Sequence, residues 1–342
     1  MSLTQLIKLI KKYAPFALLG VIIIFILFYS IKVAIVLYKN KAGENIVLNP
    51  VFGPIPKPAL KDSTSSAGFK FQIDTIEGKP VTATKSANVY FLTPTTTKFS
   101  YRDKISMMAK NLGFENSNTY NLQDDTAYFI NDTRSLDVKI TNFNFIYKYK
   151  YDKDPNLFIR SIIPTAQEAE NESISLLSLL DRNVEEFDKS KTITNYFFFN
   201  ADKKVIVPVA RNIDANIAEV NFYRGKIDNI PTVSYRFPNS SNFVRLASTD
   251  RKFVPIEAQI TFFERSLDKI GAYPLITGDE AFKALENGKG TVVLNSDPNN
   301  KNKIIKKMYL AYFEPNVYFE YLQPVYVFEG DDFAVFVPAI KS

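Results

Sequence analysis

Apolar and polar positions follow three regimes along the chain. From Tyr13 to Ile31, YAPFALLGVIIIFILFYSI, 19 consecutive positions carry no charge and every helical face is apolar. A helix of about 20 such residues spans a bilayer's hydrocarbon core. The run continues past Lys32 through VAIVLY with no small-x-small cleavage site after it, so it reads as a retained anchor over 13–38 rather than a cleaved signal. In the second regime, 39–67, Pro50, Pro54, Pro56 and Pro58 precede KDSTSSAG, which predicts a spacer, stiff at first and then flexible. Beyond residue 67 the dominant period becomes two, the signature of half-buried strands.

In that third regime FKFQIDTI (69–76), 88–92, 126–130, 136–141 and FNFIYKYKY (143–151) read as strands. A helix is expected after Ser100, with Asp103 in its first turn, Ile105, Met108, Ala109 and Leu112 on one face and Gly113 as its stop. A second begins at Thr165 with Glu168 completing a capping box and runs to about Arg182; a third begins at Thr277 with Glu280 and stops at Gly288. TITNYFFF and KKVIVPVA form an expected hairpin about Asn200-Ala201-Asp202, and further strands are expected at 218–223, 233–237, 243–247, 257–263, 290–294, 304–313, 317–328 and 333–337. The expected fold is α+β: an N-terminal transmembrane helix, then two domains rich in antiparallel sheet with short packed helices, 68–188 and 189–342. Strand, capped helix and strands recur in both halves, a weak internal repeat.

Charge sharpens the first regime. The formal net charge is +6, but six lysines (Lys8, Lys11, Lys12, Lys32, Lys39, Lys41) against Glu44 lie in residues 1–44, leaving the remainder at +1. The basic excess therefore flanks the membrane run and gives no footprint for nucleic acid. Residues 1–12 read as a basic cytoplasmic tail; with three lysines on each side of the run, the N-terminal amine tips the orientation to N-in, placing the large part outside the cytoplasm.

The chain has no Cys and no His, which removes disulfides, Cys/His zinc sites, Ser-His-Asp triads and Cys-His dyads. Ser266-Leu-Asp-Lys269 is an S-x-x-K pair, a nucleophile and base that need no His, but the companion S-D-N and K-T-G strings are absent and a surface turn is the plainer reading. Asp297-Pro-Asn299-Asn300 offers oxygen ligands without the Gly and terminal Glu of a calcium loop. Glu185-Glu186 and Asp331-Asp332 read as solvated carboxylate pairs before they read as glycosidase acids. The aromatic runs Tyr196 to Phe199 and Tyr318 to Phe328 read as sheet core before they read as stacking platforms. Asn131, Asn171 and Asn239 open N-x-S/T sequons, near chance number for this length. No catalytic, cofactor-binding or metal-binding residue is assigned, and no cofactor is expected.

ITGDEAFKALENGKG, then KKMYLAYFE, YLQPVYVFEG and FAVFVPAI, resembles the end of a PepSY-like unit, a short helix before a curled antiparallel sheet. The half from SYRDKISMMAKNLGF to NFNFIYKYKY resembles a second copy. One N-terminal transmembrane helix followed by two such units is similar to the YycH/YycI family of membrane-anchored extracytoplasmic regulators. The resemblance implies a sensor histidine kinase as partner and no catalytic residues. The expected function is a non-catalytic, single-pass, membrane-anchored regulator or scaffold with an integral membrane protein as partner and no nucleic acid; the alternatives are an envelope glycan- or peptide-binding module and a His/Cys-independent envelope hydrolase.

Overall fold

The computed structural model describes residues 20–32, 48–58, 64–97, 99–117, 119–154, 156–158, 162–182, 185–250 and 252–341. The chain divides into two compact units, Met1–Val47 and Leu48–Ser342.

In the first unit the described part is helix α1, 20–32, with Val21, Ile24, Phe25, Phe28 and Ile31 all exposed. At 1.5 Å per residue it is about 20 Å long. Among the described residues no helix is long and apolar enough to cross a membrane. The rest of the expected anchor, 13–19 and 33–38, lies outside the described residues, as does the tail 1–12.

The second unit is strand-rich α+β. Its first half holds β1 (Thr64–Ser65), β2 (Lys70–Ile73), β3 (Ser86–Leu92), α2 (Tyr101–Asn111), β4 (Asn121–Gln123), β5 (Thr126–Ile130), β6 (Arg134–Lys139), β7 (Phe145–Tyr149) and α3 (Ala166–Leu179). Then come β8 (Ile193–Asn200), β9 (Val205–Val209), β10 (Ile217–Phe222), β11 (Thr232–Ser234), β12 (Asn242–Ser248), β13 (Phe253–Ile260) and β14 (Arg265–Pro274). The chain finishes with α4 (Gly278–Glu286), β15 (Thr291–Asn295), β16 (Asn302–Ile305), β17 (Lys307–Glu314), β18 (Tyr321–Leu322), β19 (Pro324–Glu329) and β20 (Phe333–Pro338).

Nine strands, all antiparallel, form the largest sheet in the order β4-β5-β6-β7-β13-β12-β10-β8-β9. Period-two alternation sends Ala127, Phe129, Leu136, Val138, Phe145 and Tyr147 to one face, where they meet Ile105, Met108 and Ala109 of α2 and Ala169 and Leu177 of α3. Each fully buried ring or branched chain there contributes roughly 1.5–3 kcal/mol. A second sheet runs β1-β15-β20-β19-β17-β11. Its β19 and β20 are buried on both faces: Tyr326, Phe328, Val335 and Val337 lie in one core with Ala281 and Leu285 of α4, and Val325, Val327 and Phe336 in another with Val233 and Phe313. That is why PVYVFE and FAVFVP are nearly continuous apolar runs rather than alternating ones.

Besides strand bounds (β14 is not an expected strand, and 304–313 and 317–328 each resolve into two strands), three expectations change. The boundary at 188/189 does not separate two domains, because β7 pairs with β13 and β3 with β14 across it and Leu48–Ser342 is one compact unit. The described residues of the spacer 39–67 are docked rather than free. Asn49 bridges Ala272, the Phe52 N–H donates to the Tyr273 hydroxyl at 2.9 Å, Gln323 donates to the Pro56 carbonyl at 2.9 Å, and Ser66 is buried with its hydroxyl on the Leu285 carbonyl at 2.8 Å. Prolines that cannot donate to a ladder still offer carbonyls to a neighbouring element.

Capping is the third change. Thr277 and Glu280 make both bonds of a capping box, whereas Thr165 accepts from the Glu168 N–H at 3.3 Å and its hydroxyl donates to the Glu168 carboxylate instead. Ser100 precedes α2 but makes no side-chain cap. The stops at Gly113 and Gly288 adopt φ +84 and +72, conformations that favour glycine.

Candidate functional site

The face of the nine-stranded sheet turned away from α2 and α3 changes character across its width. In the middle, Lys148, Glu257, Arg245 and Glu219 stand side by side on β7, β13, β12 and β10. Glu219 is fully buried and accepts from Arg236 Nη2 at 3.1 Å on both oxygens, from Arg245 through Nε (3.1 Å) and Nη2, and from Asn221 at 3.1 Å. Arg245 also pairs with Glu257 at 2.7 Å, and the Arg236 guanidinium lies 3.8 Å over the Phe243 ring. The segment after β11 covers this middle: Gln259 donates to the Ser241 carbonyl and the Ser240 N–H donates to Asn221. Buried charge here is matched within the sheet and its cover.

Towards the β4 edge the cover ends. Two rows of cross-strand neighbours, Asn121–Tyr128–Asp137–Ile146 and Gln123–Thr126–Lys139, run across β4 to β7. Over them opens a cavity of about 580 Å³ whose walls are Pro94 and Thr95 after β3, Thr141 and Asn142 of the β6–β7 turn, Thr261 and Phe263, and Asn316 to Tyr318 before β18. The walls are held from behind. The Tyr318 hydroxyl donates to the Leu92 carbonyl at 3.0 Å and its ring meets Phe263 edge-on at 5.8 Å. Asn144 is buried, accepts from the Phe262 N–H (3.1 Å) and Arg182 Nη2 (2.9 Å), and donates to the Phe262 carbonyl (3.0 Å). Burial draws the Arg182 guanidinium down to about 10. Phe143, at φ +57, makes the tight turn that sets Thr141 and Asn142 on the rim.

The charged groups of the cavity differ in how they are satisfied. Lys139 Nζ lies 2.5 Å from Asp125. Burial works to raise the Asp125 carboxyl, but the hydrogen bond and charge of Lys139 outweigh it and hold that carboxyl below its usual range. Asp137 has no hydrogen-bond or ion-pair partner among the described residues, and burial raises its carboxyl above the usual range against a weaker opposing pull from Lys148. The Thr261 hydroxyl is buried within the wall, without a hydrogen-bond partner among the described residues. Chemically the cavity offers a carboxylate without an ion-pair or hydrogen-bond partner among the described residues and the rings of Tyr128, Phe263 and Tyr318: groups suited to holding a cationic or polyhydroxylated ligand. The Thr126 hydroxyl donates to Asp125 at 3.2 Å, but a carboxylate already neutralised by Lys139 is a poor general base.

The residues singled out in the sequence fall elsewhere, with one exception. Ser266 and Lys269 lie at an irregularity of β14, not in a plain turn: Ser266 Oγ accepts from the Asp268 and Lys269 N–H groups, and the Lys269 ammonium sits 4.9 Å over the Phe91 ring. Asp297 Oδ1 accepts from the Asn299 and Asn300 N–H groups in a polar turn, and no group of three or more metal-ligating side chains converges among the described residues. Glu186 is no solvated partner of Glu185: it pairs with Arg224 at 2.6 Å and Arg265 at 3.2 Å. Arg224, buried, also pairs with Glu314 at 2.6 Å and so ties the two large sheets together. Asp332 pairs with the buried Lys303 at 2.6 Å. Phe199 is core, whereas Phe198 is 40 % exposed; of the second aromatic run, Tyr318 reaches the cavity. Asp137 and Thr261 carried no motif; the available signal was an Asp on the polar phase of an alternating strand. No protein-family model matches the chain, and no curated protein matches it.

Proposed function

We propose that this protein is a membrane-tethered, non-catalytic regulator or scaffold whose α+β unit lies outside the cytoplasm and binds a partner envelope protein. The observation that carries the reading is the cavity over β4 to β7, lined by Asp137, a carboxylate with no hydrogen-bond or ion-pair partner among the described residues. Such a group is satisfied by a ligand, and the cavity's one hydroxyl–carboxylate contact, Thr126 to Asp125, is poorly placed for catalysis. Tethering rests on the charge-free run from Tyr13 to Ile31 and on α1, whose apolar side chains are exposed all round. The likeness to YycH/YycI regulators is supported by order, since α2 precedes the β4–β7 meander and α4 precedes the β15–β20 sheet, and it makes a sensor histidine kinase the first partner class to test. Anchor and cavity in one bilayer-bound chain raise the effective concentration of both contacts.

Photocrosslinking in native membranes tests this. A photoreactive residue at Thr141, on the cavity rim, is expected to capture one integral membrane protein reproducibly, while the same residue at Lys203, in the exposed β8–β9 turn, is not. Protease added to cells with a permeabilised outer envelope is expected to leave only an anchor fragment; complete protection overturns the topology. A second reading, an envelope glycan-binding module, is favoured by the rings of Tyr128, Phe263 and Tyr318 in the cavity, and recovery of glycan without any protein at Thr141 would establish it instead.

A further inference from the structure

The cavity does not end at Tyr128. That ring also lines a second groove, about 330 Å³, bounded by Thr119, Tyr120, Asn121, Gln123 and Ile130 beside β4. Cavity and groove therefore share a wall and form one surface across the open end of the sheet. β4 is three residues long, exposed throughout, and, among the described residues, paired on its β5 side alone. The surface carries two carboxylates, Asp125 and Asp137, against one ammonium, Lys139, which is already committed to Asp125. What remains is the half-buried Asp137, on which Lys148 acts from the neighbouring strand without an ion pair or hydrogen bond, beside the rings of Tyr128, Phe263 and Tyr318.

From this juxtaposition we propose that the cavity takes one lysine or arginine side chain from an extended segment of the partner protein, its cationic head against Asp137 and its stem against Tyr128, with the flanking residues of the segment lying in the groove beside β4. The inference rests on the proposed function in assuming a protein partner and adds the chemistry by which it is recognised. A cation entering here gives a half-buried carboxylate the partner it lacks, and an aliphatic stem followed by a charged head matches a ring at the entrance and a carboxylate within. A neutral polar side chain would leave that carboxylate without an ion pair. An acidic one would meet Asp137 in repulsion.

The probe is a displayed library of random linear heptapeptides, selected against the full-length protein in lipid nanodiscs with empty nanodiscs as counter-selection. Enriched peptides are expected to share Lys or Arg at one position, and replacing that residue with norleucine should weaken binding by about tenfold or more. Asp137→Asn should produce a loss of similar size, and the two changes together no more than either alone, since both remove one interaction. Thr141→Lys, which brings a cation to the rim without altering Asp137, should also weaken binding, whereas Asp202→Asn in the β8–β9 turn should not. Enrichment without a basic residue, or a basic preference that persists in Asp137→Asn, overturns the inference. If Asp137→Asn also leaves crosslinking of the membrane partner at Thr141 unchanged, the regulator reading stands without it. If no peptide is enriched and peptidoglycan fragments bind instead, both are overturned.

Discussion

The two faces of the nine-stranded sheet are made by the same strands and differ in what completes them. On the covered face Phe129, Leu136, Val138 and Phe145 are closed over by α2 and α3, and burial is nearly total. On the other face the next residues in sequence, Tyr128, Asp137 and Lys139, stand one pleat away, and only the middle of that face is closed, by the segment after β11. Where it is closed, Glu219 is paired with two arginines; where it is open, Asp137 forms no ion pair among the described residues, and Lys148 acts on it only at longer range. A sheet face can hold buried charge stably only if a covering element brings the opposite charge, and a face left short of cover keeps a charge that a ligand can satisfy.

The comparison can be broken most forcefully on the covered face. Phe129→Ala removes a ring that is 1 % exposed and is expected to cost about 3–5 kcal/mol in urea unfolding; a loss under 1 kcal/mol would mean that α2 and α3 do not seal it. Glu219→Gln keeps the shape but leaves Arg236 and Arg245 facing a neutral group, and is expected to cost about 3 kcal/mol. Adding Arg245→Met should restore part of that loss, which a double-mutant cycle measures. Thr165→Ala, which removes the N-terminal cap of the covering helix α3, is expected to cost about 1 kcal/mol with the sheet's circular dichroism unchanged.

The smallest effect belongs to the open face and has a distinct sign. Folding raises the Asp137 carboxyl above its ordinary 3.8, so in the pH window just above that value the folded chain holds the proton more tightly than the unfolded one. Stability from this group therefore falls as pH rises through the window. Asp137→Asn should be as stable as the parent or slightly more so at pH 7, and the difference should vanish when urea titrations are repeated below pH 4. A variant that is less stable at pH 7 would show that Asp137 has a structural partner after all.

Several features set by local interactions were readable, although Ser100 does not cap α2. Thr277 with Glu280, the left-handed stops at Gly113 and Gly288, and the alternation of TAYFI and FIYKY depend on residues within a turn or a pleat of one another. The α3 box was half right: the spacing brings Thr165 and Glu168 together, but the hydroxyl finds the carboxylate before the backbone does. Ser266 and Lys269 show the opposite case, because spacing alone does not reveal that Lys269 would cover Phe91 on a strand 170 residues or more away.

What the sequence by itself determined, then, is the charge-free N-terminal run, the strand-rich α+β class, the α4 capping box, the glycine stops and a composition without Cys or His. Each of these follows from composition or from contacts over a few residues. Only the tertiary structure decided that 48–342 is one unit, that the proline-rich segment docks, and that Asp137 faces a cavity. The reason is the long range of the deciding contacts. β7 finds β13 more than a hundred residues away, and the walls around Asp137 come from 94–95, 141–142, 261–263 and 316–318. An aspartate on the polar phase of a strand looks the same in sequence whether its face is covered by arginines, as at Glu219's end, or left open. The difference lies in which distant loop ends short of it.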